Sequence, residues 1–267
     1  AVEKAKEIIG DGSQASSSIP VTITQPTITE AVLRERLFRD TLARTATNLN
    51  EGNAPRTNNV RLAAKAINGT ILNPGDVFSY NTVVGERTQA RGYQEAHAYS
   101  GGKIIDEFGG GVCQPSSTLY MAVLRADLEV VERHNHSFTV SYTPLGEDAT
   151  VDYGNLDFRF ANNTAYPIKI LAEQTDGQMI MTIIGTKTSD KTVATRTEVL
   201  ETYKPETVEK QDSSLAAGET QVETSGITGY STRTYKVITE NGKTTEVLAN
   251  KSTYSKRDEI VCVGTGS

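Results

Sequence analysis

Apolar residues recur at helical spacing in three parts of the chain. Residues 30–46 place apolar side chains on one face and arginines elsewhere, which predicts an amphipathic helix. Residues 59–68 predict a second, short helix, with Gly69 just beyond its end. The run Leu119–Leu124 is apolar on every side and predicts a helix buried at the centre of a domain.

After this buried helix, alternation of apolar and polar residues predicts strands rather than helices. In the segment HSFTVSYT, the side chains of His136, Phe138, Val140 and Tyr142 would share one face of a strand. The predicted strands are 128–132, 136–143, 149–153, 156–161, 166–173 and 178–186. Residues 30–187 therefore predict an α+β domain, with helices first and an antiparallel sheet after them.

The composition changes at about residue 187. Residues 188–267 are rich in Thr, Val, Glu and Lys, with regular alternation and few large apolar side chains, which predicts an elongated all-β domain. Residues 1–29 are mostly small and polar and are interpreted as a linker or the end of an upstream element.

The overall composition is that of a globular protein. Of 267 residues, 37% are hydrophobic and 22% charged, the mean hydropathy is −0.39, and the net charge is −6. The acidic balance argues against a nucleic-acid partner, and no run approaches the roughly 18 apolar residues of a spanning helix. Two cysteines exclude a disulfide-rich scaffold and a zinc site made of cysteines alone.

Cys113 is the most distinctive candidate for chemistry. It follows a run of glycines and precedes the predicted buried helix, whose free N–H groups and dipole would stabilise a thiolate. Gly110 and Gly111 would let a substrate backbone approach, and the N–H groups of Cys113 and Gln114 would form an oxyanion hole.

A thiolate nucleophile needs a neighbouring base. His134 and His136 lie about twenty residues downstream, and their spacing would put both on one side of a strand, with Asp148 or Asp152 orienting the imidazole. The order cysteine, histidine, acid resembles the papain-like and transglutaminase-like arrangement.

Several plainer alternatives stay open at this point. Cys113 would be a packing residue, would form a disulfide with Cys262, or would bind zinc with His134 and His136, with or without His97. Asp148 and Asp152 would be turn or surface residues, and Arg133 and Arg159 would either pair with substrate carboxylates or lie on the surface.

Three long segments between residues 37 and 187 resemble the VanW family: NGTILNPGDVFSYN, GGGVCQPSSTLYMAVLRADLEVVERHNHS and DATVDYGNLDFRFANNT. Where the family usually has proline between the two histidines, this chain has Asn135. The distal segment resembles a G-five (G5) domain, and its candidate glycines are Gly218, Gly226, Gly229, Gly242 and Gly264. Residues 1–29 are similar to the end of a peptidoglycan-binding domain that often precedes VanW domains.

The resemblance implies extracellular work on Gram-positive peptidoglycan, as an L,D-transpeptidase that needs no cofactor or metal. Cys113 would attack the third residue of a tetrapeptide stem, release D-alanine and pass the acyl group to another stem, giving a 3–3 cross-link. His136 would be the base, His134 would orient it or bind substrate, and Asp148 would be the third catalytic member. Substrate binding is assigned to Gly110, Gly111, Gln114, Ser116 and Arg133.

The partners implied are stem peptides and wall glycan, with the full-length protein in the cell wall or anchored at the outer face of the membrane. Alternatives are a thiol carboxypeptidase or endopeptidase on stem peptides, and a non-catalytic module that binds wall glycan or acts as a scaffold.

Overall fold

The computed structural model describes residues 29–100 and 103–266, together with Glu3, Lys6, Gly10 and Thr24. The chain divides into two compact units, residues 1–36 and 37–267. In the first unit, helix α1 (Glu30–Arg36) carries an ion pair of 2.6 Å between Arg34 and Glu30, one turn apart. The predicted linker at residues 1–29 lies almost entirely outside the described residues.

The second unit mixes helices and antiparallel sheet in its first part and is all-β in its second. The helices are α2 (Ala54–Ile67), α3 (Tyr80–Val84) and α4 (Cys113–Arg125). The strands of the first part are β1 (Asp40–Asn48), β2 (Ile71–Leu72), β3 (Val77–Ser79), β4 (Glu95–Ser100), β5 (Lys103–Phe108), β6 (Glu129–Glu132), β7 (Arg159–Ala161), β8 (Ile168–Thr175) and β9 (Gln178–Gly185). The strands of the second part are β10 (Thr192–Tyr203), β11 (Thr207–Ala216), β12 (Thr220–Thr224), β13 (Gly229–Glu240), β14 (Lys243–Tyr254) and β15 (Glu259–Gly266).

The helix predicted at 30–46 is wrong in its second half. Helix α1 ends at Arg36, Phe38 has a φ of 55°, and the chain continues as β1, antiparallel to β9. Alternate residues Ala43, Thr45 and Thr47 are buried, a two-residue period that a helix cannot produce. The β-branched threonines also favour the strand.

The predicted helix at 59–68 begins earlier, at Ala54. The side chain of Asn53 accepts a hydrogen bond of 3.1 Å from the N–H of Arg56, and Pro55 occupies the first turn. Gly69 lies just beyond the end of α2 with a φ of 89°, a conformation that glycine adopts without strain.

Helix α4 lies at the centre of the core, as its apolar sequence predicts. Every residue from Gln114 to Leu124 is buried, and polar members of the helix bond to β1. The hydroxyl of Thr118 lies 2.8 Å from that of Thr47, while the hydroxyl of Thr45 donates to the carbonyl of Thr118. These bonds fix the helix against one four-stranded sheet, ordered β1-β9-β8-β2.

The strand predicted at 136–143 is absent, and the one predicted at 149–153 is reduced to single bridges. The segment between β6 and β7 is otherwise irregular and carries the isolated bridge between His134 and Thr150. Its backbone finds partners in the C-terminal part instead, since the N–H of Ser255 donates to the carbonyl of Ser137 over 2.7 Å. Tertiary contacts thus replace the ladder that alternation predicts.

The C-terminal part confirms the prediction of an all-β region. Its strands form two three-stranded sheets, ordered β10-β13-β14 and β11-β15-β12, with β11 parallel to β15. Gly264 allows two backbones to approach closely, because a Cβ atom there would lie 1.9 Å from the carbonyl oxygen of Ala216.

Candidate functional site

Cys113 is the first residue of α4 and follows a tight glycine turn. Gly109 and Gly111 have positive φ angles of 89° and 103°, which favour glycine. A Cβ atom on Gly110 would lie 2.2 Å from the carbonyl oxygen of Ala96, so this position excludes any side chain. The turn delivers the cysteine to the N-terminal end of the buried helix.

The thiol of Cys113 is partly exposed and surrounded by polar groups. Its Sγ atom lies 3.5 Å from both the hydroxyl of Thr150 and the carbonyl oxygen of Val151, and it lines the same cavity as the imidazole of His136. Burial raises the pKa of the Cys113 thiol, but His136, Val151 and Thr150 together lower it by more, so the pKa lies below its ordinary value. The site therefore favours a thiolate.

His136 joins the thiol to a buried carboxylate. Its Nδ1 atom lies 2.7 Å from Oδ2 of Asp148, and its backbone N–H donates to the same oxygen over 2.7 Å. The other ring nitrogen, Nε2, lies 3.4 Å from the hydroxyl of Tyr142. Burial lowers the pKa of His136, but Asp148 and Cys113 raise it to about 9, so the imidazolium is favoured beside the thiolate.

Asp148 is 1% exposed and accepts hydrogen bonds at both carboxylate oxygens. Oδ1 accepts from Nη2 of Arg133 over 3.0 Å and from the hydroxyl of Tyr254 over 2.5 Å, while Oδ2 accepts from His136. Burial raises the pKa of Asp148, but the bond from His136 and the charge of Arg133 lower it further than burial raises it. The carboxylate is therefore ionised and fixed in orientation.

Cys113 and His136 open onto a cavity of about 350 Å³. Its wall combines the acidic side chains of Glu107 and Asp152 with the cationic side chain of Arg56. The remaining lining residues are His97, Gly109, Gly110, Gly111, Val112, Asn135, Ser137, Phe138, Val140, Tyr142, Thr150, Val151 and Leu156. A second, more open cavity of about 400 Å³ shares Leu156 and includes Tyr153 and Asn155. Apolar surface with a few charged groups suits a peptide that carries charges.

Two residues that the sequence predicts as members of the site lie elsewhere. His134 lies apart from His136 and Asp148, and Ser116 lies inside the core. Nε2 of His134 lies 3.1 Å from Oε1 of Glu132, on a side chain that is 42% exposed. His134 and His136 do not share a side, because the regular strand that would align them is absent. Ser116 is fully buried, and its hydroxyl finds no hydrogen-bond partner among the described residues.

Gln114 and Arg133 are structural rather than open to a substrate. The side chain of Gln114 is buried, accepting from Arg56 over 2.8 Å and donating to Thr47 and to the carbonyl of Asn48. Its N–H donates to the carbonyl of Gly111 over 3.0 Å, so it is not the free oxyanion donor that was expected. The side chain of Arg133 is 5% exposed and holds Asp148.

Two of the sequence-based alternatives find no support in the described structure. Cys113 and Cys262 are both free, so the disulfide between them is wrong. Within residues 29–100 and 103–266, no three His, Cys, Asp or Glu side chains gather as a metal site requires. Asp152 lines the cavity, while Arg159 lies 3.8 Å from Glu132 on a half-exposed side chain.

Sequence reasoning missed Tyr254 and gave no functional role to Arg56 or Tyr142. Tyr142 carried a signal, since it lies in the same alternating segment as His136. Arg56 stacks over the Tyr142 ring at 6.0 Å, but it belongs to a distant helix. Tyr254 lies more than a hundred residues from Asp148 and gives no local signal.

Comparisons with known proteins match both parts of the chain. The VanW-like protein family matches residues 55–184, and the G5 domain family matches residues 194–266. The uncharacterized protein YoaR of Bacillus subtilis is 44% identical over 142 residues, covering 53% of this chain and 47% of that protein. The vancomycin B-type resistance protein VanW of Enterococcus faecalis is 29% identical over 134 residues, covering 48% of this chain and 49% of that protein. The chain thus spans about half the length of these relatives.

Solved structures match over the C-terminal part. The G5 domain of IgA1 protease is 18% identical with a TM-score of 0.22, covering 30% of this chain and 98% of that structure. The HP0197 G5 domain is 21% identical with a TM-score of 0.18, covering 28% of this chain and 100% of that structure. The papain-like arrangement stays a prediction, and no described helix is long and apolar enough to cross a membrane. Residues 55–184 belong to the VanW family, and residues 194–266, which follow them, form a G5 domain.

Proposed function

We propose that this chain is an extracellular, cysteine-dependent L,D-transpeptidase that forms 3–3 cross-links in peptidoglycan. The observation that carries the proposal is that the Cys113 thiol and the His136 imidazole line the same cavity wall, with His136 bonded to the buried carboxylate of Asp148 and lowering the pKa of Cys113. The domain pair supports a cell-wall setting, and the name of the VanW relative refers to resistance against vancomycin.

In the first half-reaction, the Cys113 thiolate attacks the carbonyl carbon of the third residue of a tetrapeptide stem. A C–S bond forms, and the collapse of the tetrahedral intermediate breaks the C–N bond to the terminal D-alanine. The imidazolium of His136 gives its proton to the departing amine, so neutral imidazole and an acyl-thioester remain. Asp148 keeps the ring oriented throughout.

In the second half-reaction, the side-chain amine of another stem attacks the thioester carbonyl. His136 takes the proton that this amine loses, the new C–N bond forms, and the C–S bond breaks to restore the thiolate. Atoms and charges balance without an oxidant, a metal or a cofactor.

The charges of the cavity support an amine-bearing peptide as the substrate. Glu107 and Asp152 both line the cavity, and burial followed by the nearby charge of Asp152 raises the pKa of Glu107. A cationic amine placed between them would relieve this repulsion. The side chain of a diamino acid meets that requirement.

The G5 domain is proposed to contact wall glycan and keep the catalytic domain near its substrate. A thiol carboxypeptidase or endopeptidase would use the same acyl-thioester and differ only in the acceptor, water instead of an amine. A binding module would need no thiolate.

Mass spectrometry of a purified disaccharide-tetrapeptide incubated with the protein distinguishes these functions. Wild type and Cys262→Ser are expected to give a dimer lacking one alanine, while Cys113→Ser gives none. A tripeptide without dimer would replace transpeptidation by hydrolysis. Absence of both products and of an acyl-cysteine adduct would contradict the proposal and favour a binding module.

A further inference from the structure

We infer that the G5 domain completes the catalytic site of the VanW domain, with Tyr254 as a positioning residue that holds Asp148 against His136. The inference rests on the proposed function for its meaning in catalysis. It rests on geometry alone for the coupling between the two domains.

Tyr254 lies at the end of β14 and is 1% exposed, buried against the VanW domain. Its hydroxyl donates to Oδ1 of Asp148 over 2.5 Å and accepts from the N–H of Gly146 over 2.8 Å. The opposite carboxylate oxygen of Asp148 binds His136. Rotation of the carboxylate away from the imidazole would therefore break the bond to Tyr254 as well.

Two further residues of β14 point the same way as Tyr254. Asn250, Ser252 and Tyr254 alternate along the strand, so they share one face. The hydroxyl of Ser252 accepts from Nη1 of Arg133 over 2.8 Å and donates to Oδ1 of Asn250 over 3.0 Å. Arg133 is the ion-pair partner of Asp148, so the strand supports the carboxylate through both of its Oδ1 partners.

The backbones of the two domains also meet closely around this face. Nδ2 of Asn250 donates to the carbonyl of Gly146 over 2.9 Å, and Nδ2 of Asn135 donates to the carbonyl of Thr253 over 2.8 Å. A Cβ atom on Gly146 would lie 1.9 Å from the hydroxyl of Thr234, so the loop before Asp148 is fitted to the G5 domain. The irregular segment that carries His136 and Asp148 thus has its partners in another domain.

The charged and titratable groups around Asp148 come from every element that packs against it. Arg133, His136 and Tyr254 are in direct contact, and the others are Cys113 beyond His136, Tyr120, Tyr142 and the adjacent Glu147. Removing the hydroxyl of Tyr254 takes away a donor to the ionised carboxylate, so Asp148 would bind its proton at a higher pH. As the pH falls, the imidazolium of His136 would then lose its counter-charge at a higher pH. The thiolate of Cys113 would be protonated at a higher pH as well.

The test is the pH dependence of Cys113 alkylation by iodoacetamide in the full chain, with Cys262→Ser as the background. In Tyr254→Phe, we expect the acid limb of the alkylation profile to move to higher pH and the rate on that limb to fall about three- to tenfold. Tyr235→Phe is the matched control, since Tyr235 lies in the same domain and its hydroxyl donates to the exposed Glu198 over 3.3 Å.

A second variant tests whether the effect of Tyr254→Phe comes from a loss of folding. Ser252→Ala leaves Tyr254 intact but removes a partner of Arg133, and a smaller shift in the same direction is expected. An alkylation profile of folded Tyr254→Phe that superimposes on that of the control would overturn the inference. Alkylation needs no turnover, so a shifted profile without any 3–3 dimer from wild type would support the coupling and contradict only the transpeptidase proposal.

Discussion

The Nδ1 atom of His136 lies 2.7 Å from Oδ2 of Asp148, and both residues are buried. The other ring nitrogen, Nε2, lies 3.4 Å from the hydroxyl of Tyr142, on a cavity wall that Cys113 shares. The contact of His136 with Asp148 also ties the ionisation of a partly exposed cysteine to a carboxylate that solvent does not reach. The chemical properties expected of the site follow from this one pair.

Cys113 is expected to react with iodoacetamide faster than Cys262 near pH 6. The thiolate is the reactive form, and His136 lowers the pKa of Cys113. For Cys262, burial and then the neighbouring Glu223 raise the pKa. Peptide mass spectrometry after timed labelling measures both rates, and His136→Gln serves as the control that removes the difference. Equal, slow labelling of the two cysteines in wild type would contradict an activated thiol.

Asp148→Asn is expected to lower the transpeptidation rate by about 10²- to 10⁴-fold, because the amide neither stabilises the imidazolium nor fixes its tautomer. The variant also leaves Arg133 buried without its counter-charge, and about 3 kcal/mol of unfolding free energy should be lost at pH 7. Product analysis and urea unfolding measure the two effects. Wild-type rates in a folded Asp148→Asn variant would exclude Asp148 from catalysis.

The stability difference between wild type and Asp148→Asn is expected to depend on pH. The folded-state pKa of Asp148 lies below the ordinary value of 3.8 for an aspartate, so its ionised contacts stabilise the fold fully above that value. This stabilisation is lost as the pH falls through the lowered pKa. Urea midpoints of the two proteins should therefore converge at strongly acidic pH and separate above pH 5. A separation that stays constant down to pH 2 would contradict the assignment.

The rate of cross-linking is expected to fall on the alkaline side with a midpoint of about 9. That is the pKa to which Asp148 and Cys113 raise His136 against the effect of burial, and the imidazolium is needed to protonate the departing amine. Below this pH the imidazolium–thiolate pair persists, because the pKa of Cys113 is lowered. Initial rates between pH 5 and 10 measure the profile, and an alkaline limb with a midpoint near 6.5 would indicate an unperturbed histidine.

Gly110→Ala is expected to destabilise the fold by about 1–3 kcal/mol, because the added methyl would meet the backbone of Ala96. Gly52→Ala is the matched control, since the nearest atom to its Cβ lies at 3.1 Å on a side chain. Thermal unfolding measures the two changes. Equal melting temperatures for the two variants would show that the turn before Cys113 accommodates a methyl group at residue 110, contrary to this prediction.

Local sequence patterns predicted much of the fold. The apolar run at Leu119–Leu124 predicts a buried helix because it offers no polar face, and α4 is buried. Regular alternation after residue 187 predicts an all-β region, which the structure confirms. The long VanW and G5 motifs identify both domains, as the family matches confirm. The pattern failed at residues 40–46, where Leu42 and Arg44 continue the helical spacing of the preceding residues but pairing with β9 makes the segment a strand.

For the candidate site, sequence alone named Cys113, His136 and Asp148, and it favoured His136 over His134 as the base without fixing the direction of either side chain. That distinction depends on the direction of each side chain, and the irregular segment around them has no fixed periodicity from which a direction can be read. Tertiary structure alone showed that Gln114 and Arg133 are bonded inside the protein and that Tyr254 holds Asp148. Contacts between residues a hundred positions apart form only when the domains pack, so no local pattern encodes them.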